Sequence, residues 1–377
     1  MPHFDIIRHV EPHKTFRVAS VMGTYDLQTE KVSEHFVGDI ELPEQWQVGL
    51  IVGNSGTGKT TIARELFPAA YIENFDYNHE CILDDMPQGI PMETITKTFN
   101  AVGFSSPPLW LKPYAVLSNG EKMRCDLARA MLSDKEMFVF DEFTSVVDRN
   151  IAKIGSFAIQ KAIRKTNRRM IAVTCHFDVE DWLMPDWVFY TNDMTFHLLG
   201  DGQKKNRPTI EYDIYKVTDR KKKERLWRTF SKYHYLSTNF NKVADTYVAT
   251  VNGDLAAFCA VLPFPHPRLK KCKREHRTVV LPDFQGIGLG VRLSDFAAEQ
   301  CLKDGYRFIS TTSNPAMAHY RINTSLWACR KLPHRTTTHK SSFRTGVIHK
   351  SAKASAAMRL TYSFEYIGNK STNSHNI

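Results

Sequence analysis

The stretch that decides the fold of the first half is Gly53-Asn54-Ser55-Gly56-Thr57-Gly58-Lys59-Thr60, which matches the phosphate-binding pattern G-x-x-x-x-G-K-[ST]. An apolar run at residues 48–52 precedes it, and a helix-forming stretch begins at Thr61. Glycines let the backbone N–H groups turn toward phosphates, and a helix N-terminus adds its positive end. A strand, this loop and a helix in that order predict a nucleotide-binding α/β domain, with residues 53–61 around the phosphates.

Four side chains in and after this loop predict the nucleotide chemistry. Lys59 is expected to reach the β- and γ-phosphates, and the Thr60 hydroxyl to ligate Mg²⁺. The apolar run 137–140 ends in two carboxylates, of which Asp141 suits the Mg²⁺ shell and Glu142 can polarise an attacking water. The predicted cofactors of this half are therefore ATP and Mg²⁺.

The rest of the chain indicates two domains. Its 377 residues exceed one ordinary module. Up to residue 200, apolar strand-like runs alternate with helical patterns, as in a layered α/β sheet. A polar stretch at residues 201–208 reads as a linker, and a smaller mixed α/β domain with several strand-like runs follows. The predicted boundaries are 1–200, 201–208 and 209–377.

The net charge changes sign at the same place in the sequence. The net charge is −6 for residues 1–207 and +16 for residues 208–377. A polyanionic partner of the second half is one explanation, and a generically basic surface is the other. Seven scattered cysteines favour reduced thiols in the cytoplasm. The apolar runs fall far short of the ~18 residues of a membrane span, and the first residues lack a secretory pattern, so no membrane partner is expected.

Further motifs of the first half resemble the ATP-binding-cassette (ABC) family. Leu117-Ser118-Asn119-Gly120-Glu121, placed before a helix and the strand that ends at Asp141, resembles the signature of that family. Residues 145–148 resemble its D-loop, and His176 stands where its switch histidine would. The resemblance implies catalytic roles for Glu142 and His176. It also implies a head-to-tail homodimer, in which Ser118 and Gly120 close over the ATP of the other copy.

The same resemblance suggests two more nucleotide contacts and one difference. Tyr25 is the candidate for stacking on adenine, and Gln88 is the candidate Q-loop residue. Lys59 and Ser118 are only 59 residues apart, so the helical subdomain by which transporters grip their membrane partner is expected to be short. A cassette of this kind is expected to drive something other than transport.

The second half contains another glycine-rich turn, Gln285-Gly286-Ile287-Gly288-Leu289-Gly290, between a strand-like run and a helical pattern. A helix N-terminus there can receive a pyrophosphate. A dinucleotide site would need a βαβ unit with a ribose carboxylate, which does not follow. The turn resembles the Q-x-x-G-x-G/A motif of GNAT acyltransferases. That resemblance implies acetyl-CoA or a related acyl-CoA as cofactor, bound by Val280, Gln285, Gly286, Gly288 and Gly290.

Residues 308–320 continue the GNAT resemblance. It implies that Asn314 lies near the CoA arm and that Tyr320 protonates the departing thiolate, which is reasonable general-acid chemistry. The alternative for Tyr320 is a packing role beside Trp327, because tyrosines at helical spacing often belong to the core.

The aromatic run 226–237, together with residues 314–315, 320–321 and 325–327, resembles the Mom DNA-modification proteins of bacteriophages. These GNAT-like enzymes alter adenine, so the likeness implies a phage- or mobile-element-encoded protein that works on nucleic acid. Aromatic and basic side chains suit an extruded base and its backbone. His234 and Tyr235 would face the acceptor, and Glu275 and His276 are candidates for a base or for rim residues.

The leading hypothesis is a non-transporter ABC ATPase fused to an acyl-CoA-dependent GNAT-like N-acyltransferase that modifies nucleic acid. A second hypothesis makes the acceptor a protein lysine or a small amine. A third is a regulatory ATPase whose second domain binds acyl-CoA or nucleic acid without chemistry.

Overall fold

The structure is a computed structural model, and it describes residues 3–8, 15–26, 34–199, 209–234, 238–267, 269–335 and 360–368. Its strands are β1 (His3–Arg8), β2 (Glu34–Asp39), β3 (Val48–Val52), β4 (Tyr71–Ile72), β5 (Met137–Phe140), β6 (Arg169–Thr174), β7 (Trp187–Tyr190), β8 (Thr195–Leu198), β9 (Tyr212–Val217), β10 (Asp245–Val251), β11 (Asp254–Pro263), β12 (Cys272–Val280), β13 (Arg307–Thr312), β14 (Trp327–Arg335) and β15 (Leu360–Tyr366). Its α-helices are α1 (Phe16–Tyr25), α2 (Lys59–Leu66), α3 (Met92–Ala101), α4 (Pro107–Trp110), α5 (Asn119–Leu132), α6 (Arg149–Ile163), α7 (Val179–Leu183), α8 (Arg220–Phe230), α9 (Leu289–Lys303) and α10 (Pro315–Asn323).

The first sheet has six strands in the order β4-β5-β6-β3-β7-β8. All neighbours are parallel except β7 and β8. Strand β3 lies between β6 and β7, and every residue of it is buried, as expected for the inside of a parallel sheet. The loop that leaves β3 is the predicted phosphate loop. The structure thus confirms the predicted α/β class and places the loop at the carboxyl end of a central strand, where such sheets bind ligands.

A two-stranded antiparallel ribbon, β1 and β2, contributes to the core of this half. Phe4 and Phe36 are buried in the same cluster as Ile51 and Phe189, and the rings of Phe4 and Phe189 meet edge to face at 5.8 Å. The sequence patterns did not predict this ribbon. Each strand buries only one phenylalanine and leaves other apolar residues, Ile7 and Val37, exposed, so the alternation that marks a strand is weak.

The second sheet has seven strands in the order β14-β15-β13-β12-β11-β10-β9. Its neighbours are antiparallel except β12 and β13. Helix α9 crosses one side and contacts β10, β11, β12 and β13. Trp227 and Phe230 of α8 pack against Phe258 of β11 in a second core. A mixed sheet with helices is the predicted class of this half.

The described chain separates into two compact units. The first comprises Met1–His79, Asp85–Ile90 and Ser118–Pro208, and the second comprises Glu80–Asp84, Pro91–Leu117 and Thr209–Ile377. Residues 91–117, which we call the arm, therefore group with the second unit although they precede the signature in sequence. The predicted division at residues 201–208 lies outside the described residues and stays a prediction.

The arm has a small core of its own. Phe99 contacts the rings of Phe104 and Trp110 at 5.3 and 5.4 Å, and all three are buried. The Trp110 indole N–H donates to the Phe104 carbonyl at 2.8 Å. The arm is thus a short helical element held together by three aromatic rings. Among the described helices, none combines the length and apolar character needed to cross a membrane.

Candidate functional site: two phosphate turns

The phosphate loop has the backbone that its glycines predict. Gly56 and Gly58 have φ of +83° and +80°, and Gly58 is the N-cap of α2. The ring of Phe36 lies so close to Gly58 that a Cβ there would come within 2.5 Å of it. A side chain at position 58 would therefore meet both a left-handed backbone and a packed ring. Only glycine brings the helix N-terminus into this place.

Neighbouring polar groups fix the rest of the loop. The Asn54 N–H donates to Asn192 Oδ1 at 2.9 Å, and the hydroxyls of Thr57 and Thr191 are 2.5 Å apart. Lys59 Nζ donates to the Asn54 carbonyl at 2.6 Å and so lies over the loop. Ser55 and Thr61 complete the predicted run, Ser55 in the loop and Thr61 in the first turn of α2. A phosphate chain placed at the N-terminus of α2 would face backbone N–H groups and one ammonium.

The two predicted Mg²⁺ ligands are adjacent. The Thr60 hydroxyl donates to Asp141 Oδ2 at 2.8 Å. A hydroxyl and a carboxylate side by side next to a phosphate loop fit a hard cation, which prefers oxygen ligands. Tyr71, which the sequence patterns did not single out, also donates to Asp141 Oδ2, at 2.5 Å. Burial and this contact raise the pKa of Tyr71 to about 12, so the phenol keeps its proton and orients the carboxylate.

Glu142 and His176 lie near each other beside this cluster. Glu142 is exposed and has a left-handed backbone, with φ of +52°, and its N–H donates to Asp141 Oδ1 at 2.8 Å. Burial and the charge of Arg149 lower the pKa of His176, against opposing effects of Asp178 and Glu142. The imidazole is therefore neutral at pH 7. Non-glycine residues with φ in this region cost about 1–3 kcal/mol and cluster at functional sites.

The signature residues begin α5. Ser118 is its N-cap, and Ser118 and Glu121 form a capping box, in which the Ser118 N–H donates to Glu121 Oε2 at 2.9 Å. Ser118 is exposed, and Gly120 is buried in the first turn. The remaining predicted nucleotide contacts lie elsewhere in this unit. Tyr25 ends α1 and is 71 % exposed, and Gln88 is exposed in a turn after residues 82–85.

The glycine-rich turn of the second unit has the same local geometry as the phosphate loop. Gly288 is the N-cap of α9 with φ of +82°, and Gly286 has φ of +88°. A Cβ on Gly290 would lie 3.1 Å from Val280 Cγ2, so glycine lets α9 approach the end of β12. Both units thus present a helix N-terminus behind a left-handed glycine.

Gln285 makes hydrogen bonds that the sequence did not predict. Its side chain is buried, and its amide donates to the Val280 carbonyl and to Ser106 Oγ, each at 2.8 Å. Its Oε1 accepts from the Ser105 N–H at 2.6 Å. Gln285 therefore joins the turn to the arm through both ends of its side-chain amide.

Strands β12 and β13 part beside this turn. They pair over residues 272–274 and 307–309, and beyond that point β12 stays paired with β11 and β13 with β15. A buried polar network sits where they separate. Arg321, fully buried, donates to Glu275 Oε2 and Ser294 Oγ at 2.8 Å and to Ser310 Oγ at 2.6 Å, and its guanidinium lies 4.0 Å from the centre of the Trp327 ring.

The network removes Glu275 from the candidates for a catalytic base. Burial alone would raise the pKa of Glu275, but the Arg321 charge and hydrogen bonds from Ser310 and Thr278 outweigh it and hold this pKa below its usual value. The carboxylate is paired on several sides. His276, the other candidate, is half-buried, and burial with the nearby charges of Arg277 and Arg274 lowers its pKa to about 4.

Tyr320 and Asn314 lie on and before α10. The Tyr320 hydroxyl donates to the carboxylate of Asp295 on α9, and Trp327 Nε1 donates to the other oxygen of that carboxylate at 2.7 Å. Burial and the Asp295 contact raise the pKa of Tyr320 to about 12. The phenol is therefore protonated at neutral pH, as a general acid must be. Asn314 caps α10 by accepting from the Met317 N–H at 3.0 Å.

Of the two residues predicted to face the acceptor, the structure describes His234. His234 is buried, its ring meets that of Trp227 at 5.6 Å, and burial together with Arg277 and His276 lowers its pKa to about 4. His234 is thus a neutral histidine that packs on tryptophan. Tyr235 lies outside the described residues.

A basic and aromatic hairpin joins β11 to β12. Residues 263–274 include five Lys or Arg residues and no Asp or Glu. The rings of Phe264 and His266 stack at 5.6 Å with planes 16° apart, and the Arg274 guanidinium lies 5.1 Å from the Phe264 ring centre. A groove of about 690 Å³ runs here, lined in part by Phe264, His266, Lys271 and Tyr306. The sequence shows the net positive charge of this half. It does not reveal the groove, because the groove forms only when β11 and β12 pair.

The first unit has a phosphate-loop motif beside an adjacent Thr60–Asp141 pair, and the second has a mixed sheet with a glycine-rich helix N-terminus. Residues 211–322 match the model of the Acetyltransferase (GNAT) family, one of the two enzyme classes that the sequence predicts.

The chain is also similar to one curated relative and to several solved structures. The chain is 29 % identical over 133 residues to Elongation factor 3 of Gonapodya prolifera (strain JEL478), which covers 29 % of this chain and 12 % of that protein. The chain thus spans about an eighth of the length of this relative. Similar solved structures include a dimeric ATP-binding cassette in a post-hydrolysis state with ADP and Pi, at 14 % identity and a TM-score of 0.36, covering 44 % of this chain and 93 % of that one. A bacterial Atm1-family ABC exporter with ATP bound has 19 % identity and a TM-score of 0.32, covering 38 % and 32 %.

Proposed function

We propose that the protein is a non-transporter ABC ATPase whose GNAT domain transfers an acyl group from acyl-CoA to an amine of a nucleic-acid base. The basic and aromatic hairpin at residues 263–274 is the observation that carries the choice of nucleic acid. Stacked rings suit unpaired bases, and the surrounding cations suit phosphates. A protein or small-amine acceptor would make no use of both features together.

In the proposed ATPase cycle, the N-terminus of α2 and Lys59 hold the phosphates, and Thr60 and Asp141 hold Mg²⁺. The bound cation would neutralise charge on the phosphates. Glu142 accepts a proton from the attacking water, and neutral His176 lies within its electrostatic reach. Ser118 and Gly120, at the exposed N-terminus of α5, close over the ATP of a second copy, so the working form is a head-to-tail homodimer.

In the proposed transfer, the N-terminus of α9 with Gly286, Gly288 and Gly290 receives the pyrophosphate of acyl-CoA. The base amine attacks the thioester carbonyl, a C–N bond forms, and the C–S bond breaks. The thiolate takes the phenolic proton of Tyr320. The Tyr320 phenolate then recovers, through solvent, the proton that the amine nitrogen releases. Asp295 holds that phenol in place between reactions. The resemblance of the aromatic run to Mom proteins supports acceptor-side roles for His234 and Tyr235.

Binding to single-stranded DNA tests the nucleic-acid part of this proposal. We expect binding that weakens steeply with salt, with the logarithm of the affinity falling by about 0.7 per phosphate contact for each decade of salt. Replacing the exposed Lys270 and Lys271 with alanine is expected to reduce that slope by about 1.4 if each lysine contacts one phosphate. Phe264→Ala is expected to lower affinity by about 1–3 kcal/mol with the slope unchanged, because it removes stacking and no charge.

The matched control for the lysine pair is Lys161→Ala with Lys165→Ala, two exposed lysines of the first unit. These changes are expected to leave both the affinity and its salt slope as in the unchanged protein. A protein that binds no DNA at low salt would contradict a nucleic-acid acceptor. A control pair that lowers the slope as much as the hairpin pair would contradict the hairpin as the binding surface.

A further inference from the structure

The arm contacts three elements of the acyltransferase unit. Ser105 and Ser106 are hydrogen-bonded to Gln285 in the acyl-CoA turn. Helix α3 contacts α10, which carries Tyr320. Helix α4 contacts the short turn Ser231–Tyr233, which comes directly before His234. These are the donor turn, the general-acid helix and the acceptor-side segment of the proposed transferase.

The contact at Gln285 is buried and joins segments that are distant in sequence. Ser106 is 2 % exposed and Gln285 is 8 % exposed, and 179 residues separate them in sequence. Both ends of the Gln285 amide are engaged, by Ser105, Ser106 and Val280. Losing one partner of a buried hydrogen bond leaves a polar group unsatisfied, which disfavours any arrangement that separates the two. The position of the turn therefore depends on the position of the arm.

The arm is packed internally and is hydrogen-bonded to a neighbouring segment. Its three aromatic rings pack on one another, and its end is tied to a preceding segment of the same unit. There the Ile82 N–H donates to the Lys112 carbonyl at 3.0 Å, and Cys81 Sγ donates to the Trp110 carbonyl at 3.1 Å. The arm then continues without interruption through the buried Leu117 into Ser118. The chain therefore joins Ser118 directly to the arm.

We infer that Ser105 and Ser106 are positioning residues, and that through Gln285 they make the affinity for acyl-CoA depend on the nucleotide held at Ser118. This inference rests on the proposed function, because it needs both an acyl-CoA turn and a signature that engages ATP. Coupling of this kind is reciprocal: if ATP changes the affinity for acyl-CoA, acyl-CoA changes the affinity for ATP by the same factor. The bound nucleotide thereby controls the affinity of the protein for the acyl donor.

Calorimetric titration of the full chain with acetyl-CoA tests the inference. The protein carries Glu142→Gln in every experiment, so that ATP is retained, and is titrated with and without saturating ATP and Mg²⁺. We expect ATP to change the Kd for acetyl-CoA by about 5-fold or more, the lower end of usual coupling factors. The reverse titration, ATP into protein with and without acetyl-CoA, is expected to give the same factor.

Two variants separate this route from a merely structural role. Ser106→Ala removes the hydroxyl that accepts from Gln285, and we expect it to bring the ATP-dependent change in Kd for acetyl-CoA below about half of its starting factor, because a buried hydrogen bond between the turn and the arm is lost. Thr96→Ala also removes an arm hydroxyl, one that donates to the Glu93 carbonyl at 3.0 Å within α3. Thr96→Ala is expected to keep the full change.

The outcomes are distinct. Acetyl-CoA that binds equally well with and without ATP overturns the coupling and leaves the proposed transferase standing. An ATP effect that Ser106→Ala does not reduce overturns the route through the arm. Protein that binds ATP but no acetyl-CoA contradicts the proposed acyl donor, and with it the coupling.

Discussion

Glu142→Gln is expected to slow ATP hydrolysis by on the order of 10²–10⁴-fold, the usual contribution of a general base, and to leave ATP binding intact. Glu142 follows the Mg²⁺-type ligand Asp141, is exposed, and has a left-handed backbone stabilised by the bond from its own N–H to Asp141. The amide of glutamine keeps the shape of the side chain but cannot take the proton of water. Phosphate release under saturating ATP and Mg²⁺ measures the effect.

The same variant should accumulate as a dimer in ATP, because closure over two nucleotides is no longer followed by hydrolysis. Light scattering after gel filtration in ATP measures its mass. Glu136→Gln, the same change at an exposed glutamate before β5, is the control and should hydrolyse ATP normally. A Glu142→Gln protein that hydrolyses ATP within about twofold of the unchanged protein, or stays monomeric in saturating ATP, would count against the role of Glu142 or against the dimer.

Glu275→Leu is expected to lower the free energy of unfolding by about 3–5 kcal/mol, because it leaves the guanidinium of Arg321 buried without its counter-charge. Arg321 is fully buried and holds β12, β13, α9 and α10 together through Glu275, Ser310 and Ser294. Chemical denaturation followed by tryptophan fluorescence measures the loss. The double variant Glu275→Leu with Arg321→Met should recover part of it, because both charges are then removed.

The ion pair also predicts an acid sensitivity with a definite sign. The pKa of Glu275 in the folded protein lies below the ordinary value of 4.5. The stability that this group contributes is therefore fully present above pH 4.5 and is lost as the pH falls through the lower folded value. Glu275→Leu should flatten this part of the pH profile. Glu224→Gln, a change in an exposed ion pair with Lys242 and Arg228, should leave the unfolding free energy and its pH profile nearly unchanged. A Glu275→Leu protein as stable as the Glu224→Gln protein would refute the account of the network.

Local patterns predict most of the elements that carry the chemistry. The phosphate loop, the strand that ends at Asp141 and the turn at Gly288 are each a strand, a glycine bend and a helix in direct succession, so sequence neighbours are also neighbours in space. Strand β5 has the same bounds in the structure as the predicted apolar run 137–140. The S-x-x-E spacing at Ser118 likewise appears as a capping box.

Contacts between distant segments are what the sequence does not reveal. Tyr71 meets Asp141 across 70 residues, Arg321 meets Glu275 across 46, and Ser106 meets Gln285 across 179. Each is a pair of common polar residues in an ordinary local setting, and only the topology brings the pair together. Gln285 shows the consequence: its motif predicts a pyrophosphate ligand, while its amide is hydrogen-bonded to the arm.

The central claim is acyl transfer to a nucleic-acid base, and mass spectrometry of nucleosides from cells that express the full chain tests it most directly. We expect a nucleoside whose mass is raised by one acyl group, reduced on the order of 10²–10⁴-fold by Tyr320→Phe and lowered by Lys59→Ala. Tyr320→Phe protein should still bind acetyl-CoA, which separates lost chemistry from lost folding. Only unmodified nucleosides, in cells that contain intact protein able to bind both ATP and acetyl-CoA, would contradict the claim.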